Sequence, residues 1–246
     1  MPAIKNILES VFGRPRAGMF PRCRPAGISI SFDDSYVDEW YCLKDLFAEY
    51  GATVTFFVSN FDLLPEKSIE KLKILRDDGH EIAFHGLRHL SAGKFIRENS
   101  LAGYLEAEIL PGIDAMARRG FPPATFSYPY GVRAPYIDDA LLKYFKHVRA
   151  VACTNSKKRL SGLKQIYCKN AGGLVFAAGI DNIYGNSLEE IRDALIKTMG
   201  KKKTILLYAH RPTSEPGDYC TPVPRLQAVL EYASECGLKF LRVRDL

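Results

Sequence analysis

Two histidines four residues apart, His85 and His89 in FHGLRHL, can offer two imidazole nitrogens to one metal ion. On a helix this spacing puts both rings on one face, and it equally suits a half-exposed helix that binds nothing. Their company favours chemistry. Asp33 and Asp34 follow the strand-like GISISF, Tyr130 lies in TFSYPYG, and His210 ends TILLYAH. Two histidines and one carboxylate form a known catalytic zinc set with a position left open for water. Such a metal lowers the pKa of its water, and an adjacent carboxylate can accept the proton. Neighbouring aspartates at a strand end point in different directions, so one can bind metal while the other faces substrate. A histidine on another strand could protonate a leaving group, and the turn in YPYG could aim the Tyr130 N–H at a developing oxyanion. His80 and His147, read as opening a strand and ending a helix, stay outside this set.

The elements that must position these residues alternate from Gly27 onward. GISISF, ATVTFFVS, HEIAF, TFSYPYG, VRAVACT, TILLYAH and KFLRV carry strand patterns. Between them, EKSIEKLKILRDDG reads as a helix closed by Gly79, and NSLAGYLEAEILPGIDAMARRG as a helix interrupted at Pro111. Pro135 starts another. NSLEEIRDALIKTMG opens on a Ser187–Glu190 capping box and closes on Gly200, and VPRLQAVLEYASECG is the last helix. Repeated strand–helix units without a break predict an α/β fold, and about seven or eight such units favour closure into a single (β/α) barrel over an open sheet. In such a fold chemistry collects at the C-terminal ends of strands, where four separate segments deliver the residues named above. The barrel spans residues 27–246. Residues 1–26 read as a separate amphipathic helix, AIKNILESVF, followed by an irregular arm rich in Pro, Gly and Arg.

Composition excludes several classes. The 246 residues are 47% hydrophobic and 25% charged, the balance of a soluble globular protein. The net charge of +6 is scattered, with no basic stripe interleaved with aromatics, which argues against nucleic acid. Six cysteines without a C-x-x-C pair read as free thiols. No stretch has the length of a transmembrane helix or the apolar run of a signal peptide. The chain therefore reads as cytoplasmic, with peripheral contact to a membrane surface open to the N-terminal segment.

SFDD, GHEIAFHGLRH, YPYG and LLYAH, in this order, resemble the polysaccharide deacetylases of carbohydrate esterase family four, the NodB-homology domain. The resemblance spans about Gly27 to His210. It implies a distorted (β/α) barrel that hydrolyses N- or O-acetyl groups on sugars, using zinc or a similar divalent ion. Carried over, Asp33 is the catalytic base, Asp34, His85 and His89 are the metal ligands, the Tyr130 N–H serves the oxyanion and His210 is the acid. The expected substrate is an N-acylated carbohydrate, in a glycan or linked to a lipid or nucleotide. The sequence departs from the family at several places. Gly86 stands where Ser or Thr is common, and Tyr208 where a leucine helps line the acyl pocket. Ser127 replaces an arginine that orients the base; Arg133, in the nearby RAPY, is the candidate substitute, and RAPY is itself a rival for the turn motif. The family's Asp-x-x-Asp-Trp stretch is absent, leaving Asp181 in GIDNIY as the candidate partner of His210. Loss of the arginine keeps an alternative open, a metal-retaining but inactive barrel that binds glycans.

Overall fold

Alternation along the first strand lays out the whole molecule. In Gly27–Asp34 (β1), Ile28, Ile30 and Phe32 enter the large core beneath the helices, while Ser29, Ser31 and Asp33 alternate with them and are also buried. A strand buried on both faces belongs in a parallel sheet whose two sides are covered. The computed structural model describes residues 26–152, 159–169 and 172–246; the expected N-terminal helix and arm lie outside these residues.

Seven parallel strands close into a barrel: β1, Thr55–Val58 (β2), Glu81–Phe84 (β3), Thr125–Ser127 (β4), His147–Val151 (β5), Gly173–Gly179 (β6) and Thr204–Ala209 (β7). β7 pairs back on β1 from Gly27↔Thr204 to Phe32↔Ala209, which closes the ring. The distortion lies between β3 and β4, which meet only at Phe84↔Phe126. The expected barrel of about seven strands is thus the observed one. KFLRV contributes less than expected: only Lys239–Phe240 is a strand, beside the start of β1, before a short turn of helix at Val243–Asp245.

Two apolar layers result. The outer one packs the helices on the barrel; there Trp40, Phe47 and Phe56 are fully buried, with Trp40 and Phe56 stacked at 5.0 Å between ring centroids. Each such ring contributes about 1.5–3 kcal/mol by leaving water. The inner layer fills the lumen with Phe57, Ala83, Val175, Ala177, Leu206 and Tyr208, and Val243 and Leu246 plug its lower end. Buried Glu81 ties that plug down, accepting from Thr55 Oγ1, Thr125 Oγ1 and the Arg244 N–H at 2.8–2.9 Å. Burial holds its carboxyl above the usual range.

Several local expectations hold and several change. Glu66–Asp77 ends ahead of Gly79 at φ +97, and both halves of the Ser187–Glu190 capping box are formed. That helix runs past Gly200 to Lys201, and Lys202 takes the left-handed cap. Pro111 interrupts the α-helical ladder without ending the helix. The turn before it widens to a π-helical Leu105–Ile109, relieving the crowding between the proline ring and the Ala107 carbonyl. His147 does not end a helix; Pro135–Leu141 stops earlier and His147 opens β5. Among the described residues the four cysteines are free thiols, and no helix is long and apolar enough to cross a membrane.

Candidate active site

The lumen-facing positions of β1 and β3, followed to their C-terminal ends, finish at Asp33 and His85. Both are buried, whereas Asp34 and His89 are partly open. The His85 Nε2 and His89 Nε2 atoms lie 3.2 Å apart, and Asp34 Oδ1 is 3.2 Å from His89 Nε2 and 3.7 Å from His85 Nε2. His85 Nδ1 meets the Ser127 carbonyl at 2.9 Å. A carbonyl only accepts, so Nδ1 carries the proton and Nε2 turns its lone pair toward His89 and Asp34. Tetrahedral ligands about 2.0 Å from a zinc ion are about 3.3 Å apart. The three residues therefore fit a divalent metal in donor type and in spacing.

Electrostatics agree with that use. Burial pushes His85 down to about 4, so its ring is neutral and ready to ligate at neutral pH. Burial alone would raise Asp34, but the His89 hydrogen bond and the charge of His210 outweigh it and hold the carboxyl below its usual value. Three of the site's residues also stand at positive φ without being glycine: Asp34 at 83°, His89 at 56° and Tyr130 at 59°. Each such backbone costs about 1–3 kcal/mol, a cost seen mainly where function requires the geometry.

The loop carrying the histidines is not helical, contrary to the expectation from their spacing. After β3 ends at Phe84, Gly86 at φ +85 and His89 at φ +56 turn the chain irregularly. The rings converge through that loop and not through a shared helical face. It is tied from several sides: the Gly86 carbonyl accepts from the Asn60 N–H at 3.3 Å, and the Arg88 guanidinium grips Asp62 through both nitrogens at 2.5 and 2.7 Å.

An arginine reaches Asp33 from another strand. Ser127 lies beside Arg149 in the β4–β5 register, and Arg149 sends Nη2 to both oxygens of Asp33. Its side chain is 0% exposed, and its guanidinium packs over Tyr208 at 4.6 Å and Phe57 at 5.2 Å. Arg133 does not substitute. It pairs with Asp138, which also accepts from the Tyr128 hydroxyl at 2.7 Å. RAPY is no turn motif either, because Pro135 opens a helix while Pro129–Gly131 forms the tight turn that places Tyr130. Sequence reasoning missed Arg149, although one signal was available. Arg149 alternates with His147 along HVRAV, a polar pair in a strand that is otherwise apolar.

Asp181, just past β6, does meet His210. Its Oδ2 receives His210 Nδ1 at 2.6 Å, and its Oδ1 accepts from the His210 N–H at 3.1 Å and the Thr221 hydroxyl at 2.6 Å. Trp40 Nε1 donates to the His210 carbonyl at 3.2 Å. Burial alone would lower His210, but the Asp181, Asp33 and Asp34 carboxylates outweigh it and hold the ring above its ordinary value. Tyr208 is pinned between Arg149 and the Tyr184 hydroxyl, which it meets at 2.7 Å.

One cavity of about 420 Å³ is lined by Asp33, Asp34, His85, His89, Tyr130 and His210 together. Tyr36, Tyr128, Tyr184, Tyr208 and Tyr219 supply much of its remaining wall. A closed parallel barrel with a two-histidine, one-aspartate cluster at its strand ends defines a barrel hydrolase with a candidate metal centre. The comparisons make this specific. A family model described as polysaccharide deacetylase matches residues 23–148, just over half of the chain, and the chain belongs to that family. The chitin deacetylase from Colletotrichum lindemuthianum is 16% identical with a TM-score of 0.59, over 89% of this chain and 86% of that one. The Bc1960 peptidoglycan N-acetylglucosamine deacetylase is also 16% identical, TM-score 0.57, over the same shares. The family 4 carbohydrate esterase from Streptomyces lividans is 16% identical, TM-score 0.54, over 87% of this chain and 91% of that one. No curated protein matches the chain in sequence.

Proposed function

We propose that the protein is a metal-dependent deacetylase that hydrolyses the N-acyl group, foremost N-acetyl, of an amino sugar carried in a glycan or a lipid- or nucleotide-linked saccharide. One observation carries this reading: the six residues line a single cavity, with Asp33 held from behind by a fully buried arginine. The similar structures named for action on chitin and peptidoglycan support the substrate class.

Asp34, His85 and His89 would hold the metal, zinc by donor type. When bound, such an ion acidifies a coordinated water and polarises a carbonyl. Asp33 takes the proton from the attacking water, kept in position by Arg149. The Tyr130 N–H donates to the oxygen that becomes negative as the amide carbon turns tetrahedral. His210, protonated and fixed by Asp181, gives its proton to the sugar nitrogen as the C–N bond breaks. The products are a carboxylate and a free amino sugar. The inactive-binder alternative rested on the absent arginine; the pairing of Arg149 with Asp33 supports the enzyme reading over it.

The test is zinc-loaded protein incubated with a panel of N-acetyl and N-formyl amino sugars, free, polymeric and carrier-linked, with released acid measured. Acid release that disappears in Asp33→Asn is the expected result. No release from any substrate overturns the proposal.

A further inference from the structure

Glu108 is an acidic residue in the middle of a helix, where such residues ordinarily face water, yet it is 0% exposed. It sits in the π-helical turn Leu105–Ile109, and its carboxylate leaves the helix to reach the histidine loop. Oε2 accepts from the Arg88 N–H and Oε1 from the Leu90 N–H, both at 2.9 Å. These two amides flank His89, whose backbone is held at φ +56. Neither amide can donate within a helix or strand here, so the carboxylate replaces the secondary structure that the loop lacks.

Room for that carboxylate exists because residue 86 has no side chain. A Cβ built on Gly86 would overlap Glu108 Oε1, would stand 3.3 Å from Pro129 Cγ, and would belong to a backbone at φ +85. Gly86 and Glu108 therefore occupy one space: the glycine gives up its side chain and the distant carboxylate fills the gap. The widened turn ahead of Pro111 lies where Glu108 is aimed at the loop.

We propose that Glu108 is a positioning residue for the metal centre, setting the orientation of His89 by clamping the amides on either side of it. The proposal rests on the metal set assigned above. It does not depend on the substrate.

The experiment uses the full chain and reads zinc affinity by competition with a chromophoric chelator, together with the visible spectrum of the cobalt(II)-loaded protein. Glu108→Gln keeps the size but offers one acceptor, so its amide NH2 faces a backbone N–H. Zinc affinity should fall about ten- to hundredfold and the cobalt bands should shift, while far-UV circular dichroism stays that of the parent. A carboxylate that only fills space would leave the cobalt spectrum unchanged. Parent-like affinity and spectrum in Glu108→Gln overturn this proposal alone, whereas a parent protein that takes up no zinc or cobalt overturns the metal reading with it. Amide hydrogen exchange on the unsubstituted protein supplies a measurement independent of variant folding. The Arg88 and Leu90 amides should exchange at least about tenfold more slowly than exposed loop amides, and unprotected amides overturn the clamp.

Discussion

Replacing Arg149 by methionine separates the charge of this residue from its bulk. The guanidinium is fully buried and its ion-pair partner is Asp33, itself 3% exposed. Without it, Asp33 becomes an uncompensated buried charge, a situation that costs about 3–5 kcal/mol. That cost falls on the folded state, so urea denaturation of Arg149→Met at neutral pH should show a loss of about 3–5 kcal/mol. The carboxylate is also no longer held in place, and a displacement of about 1 Å costs about a hundredfold in rate, so kcat/KM should drop by about that factor. Arg149→Lys should fall between, because an ammonium keeps the charge but cannot stack between Phe57 and Tyr208. The assays are urea denaturation and kcat/KM for acid release, with zinc content measured in each variant. Parent-like stability and turnover in fully metal-loaded Arg149→Met would refute the reasoning.

Other outcomes follow from the same geometry. Asp181→Asn removes the hydrogen-bonding carboxylate that holds His210 above its ordinary value, so the alkaline limb of the pH–rate profile should move down; an unmoved limb separates His210 from the acid role. The sign for stability is matched: the pair stabilises fully below the ordinary histidine value and loses its contribution as pH rises through the raised one, measurable as the pH dependence of Tm. Dialysis against a chelator should abolish acid release, and zinc should restore it and raise Tm, by about 2.7 kcal/mol of stability at a hundredfold excess over Kd; a Tm indifferent to zinc argues against the metal set. Gly112→Ala would normally strengthen a helix by about 1 kcal/mol, but its Cβ would overlap the Phe84 ring. Overpacking costs about 1–3 kcal/mol, so urea denaturation should show a net loss; a gain would mean that Phe84 moves aside freely.

Composition and periodicity were enough for the architecture. Strand alternation and helix punctuation are local properties, and β1, with its apolar positions outward and Ser29, Ser31 and Asp33 inward, carries the barrel plan in eight residues. The candidate residues were legible for a related reason: in a parallel barrel the strand ends share one face, so Asp33, Asp34, His85, Tyr130 and His210 needed only the order of elements to be grouped. What the sequence could not supply was pairing across the barrel. Arg149 reaches Asp33 from 116 positions away, and only the β4–β5 register shows that it takes over at the side of Ser127. Arg133 seemed the nearer substitute because distance along the chain was the only distance available. The helical reading of His85 and His89 failed on the same account, since four-residue spacing describes a helix face only if a helix forms, and Gly86 and the reach of Glu108 stabilise a loop instead. Residue identity and local pattern thus determined which groups are candidates for chemistry and which end of the barrel holds them. Which charges meet, and what holds the rings in place, was decided by tertiary packing, because buried charges find their partners through space.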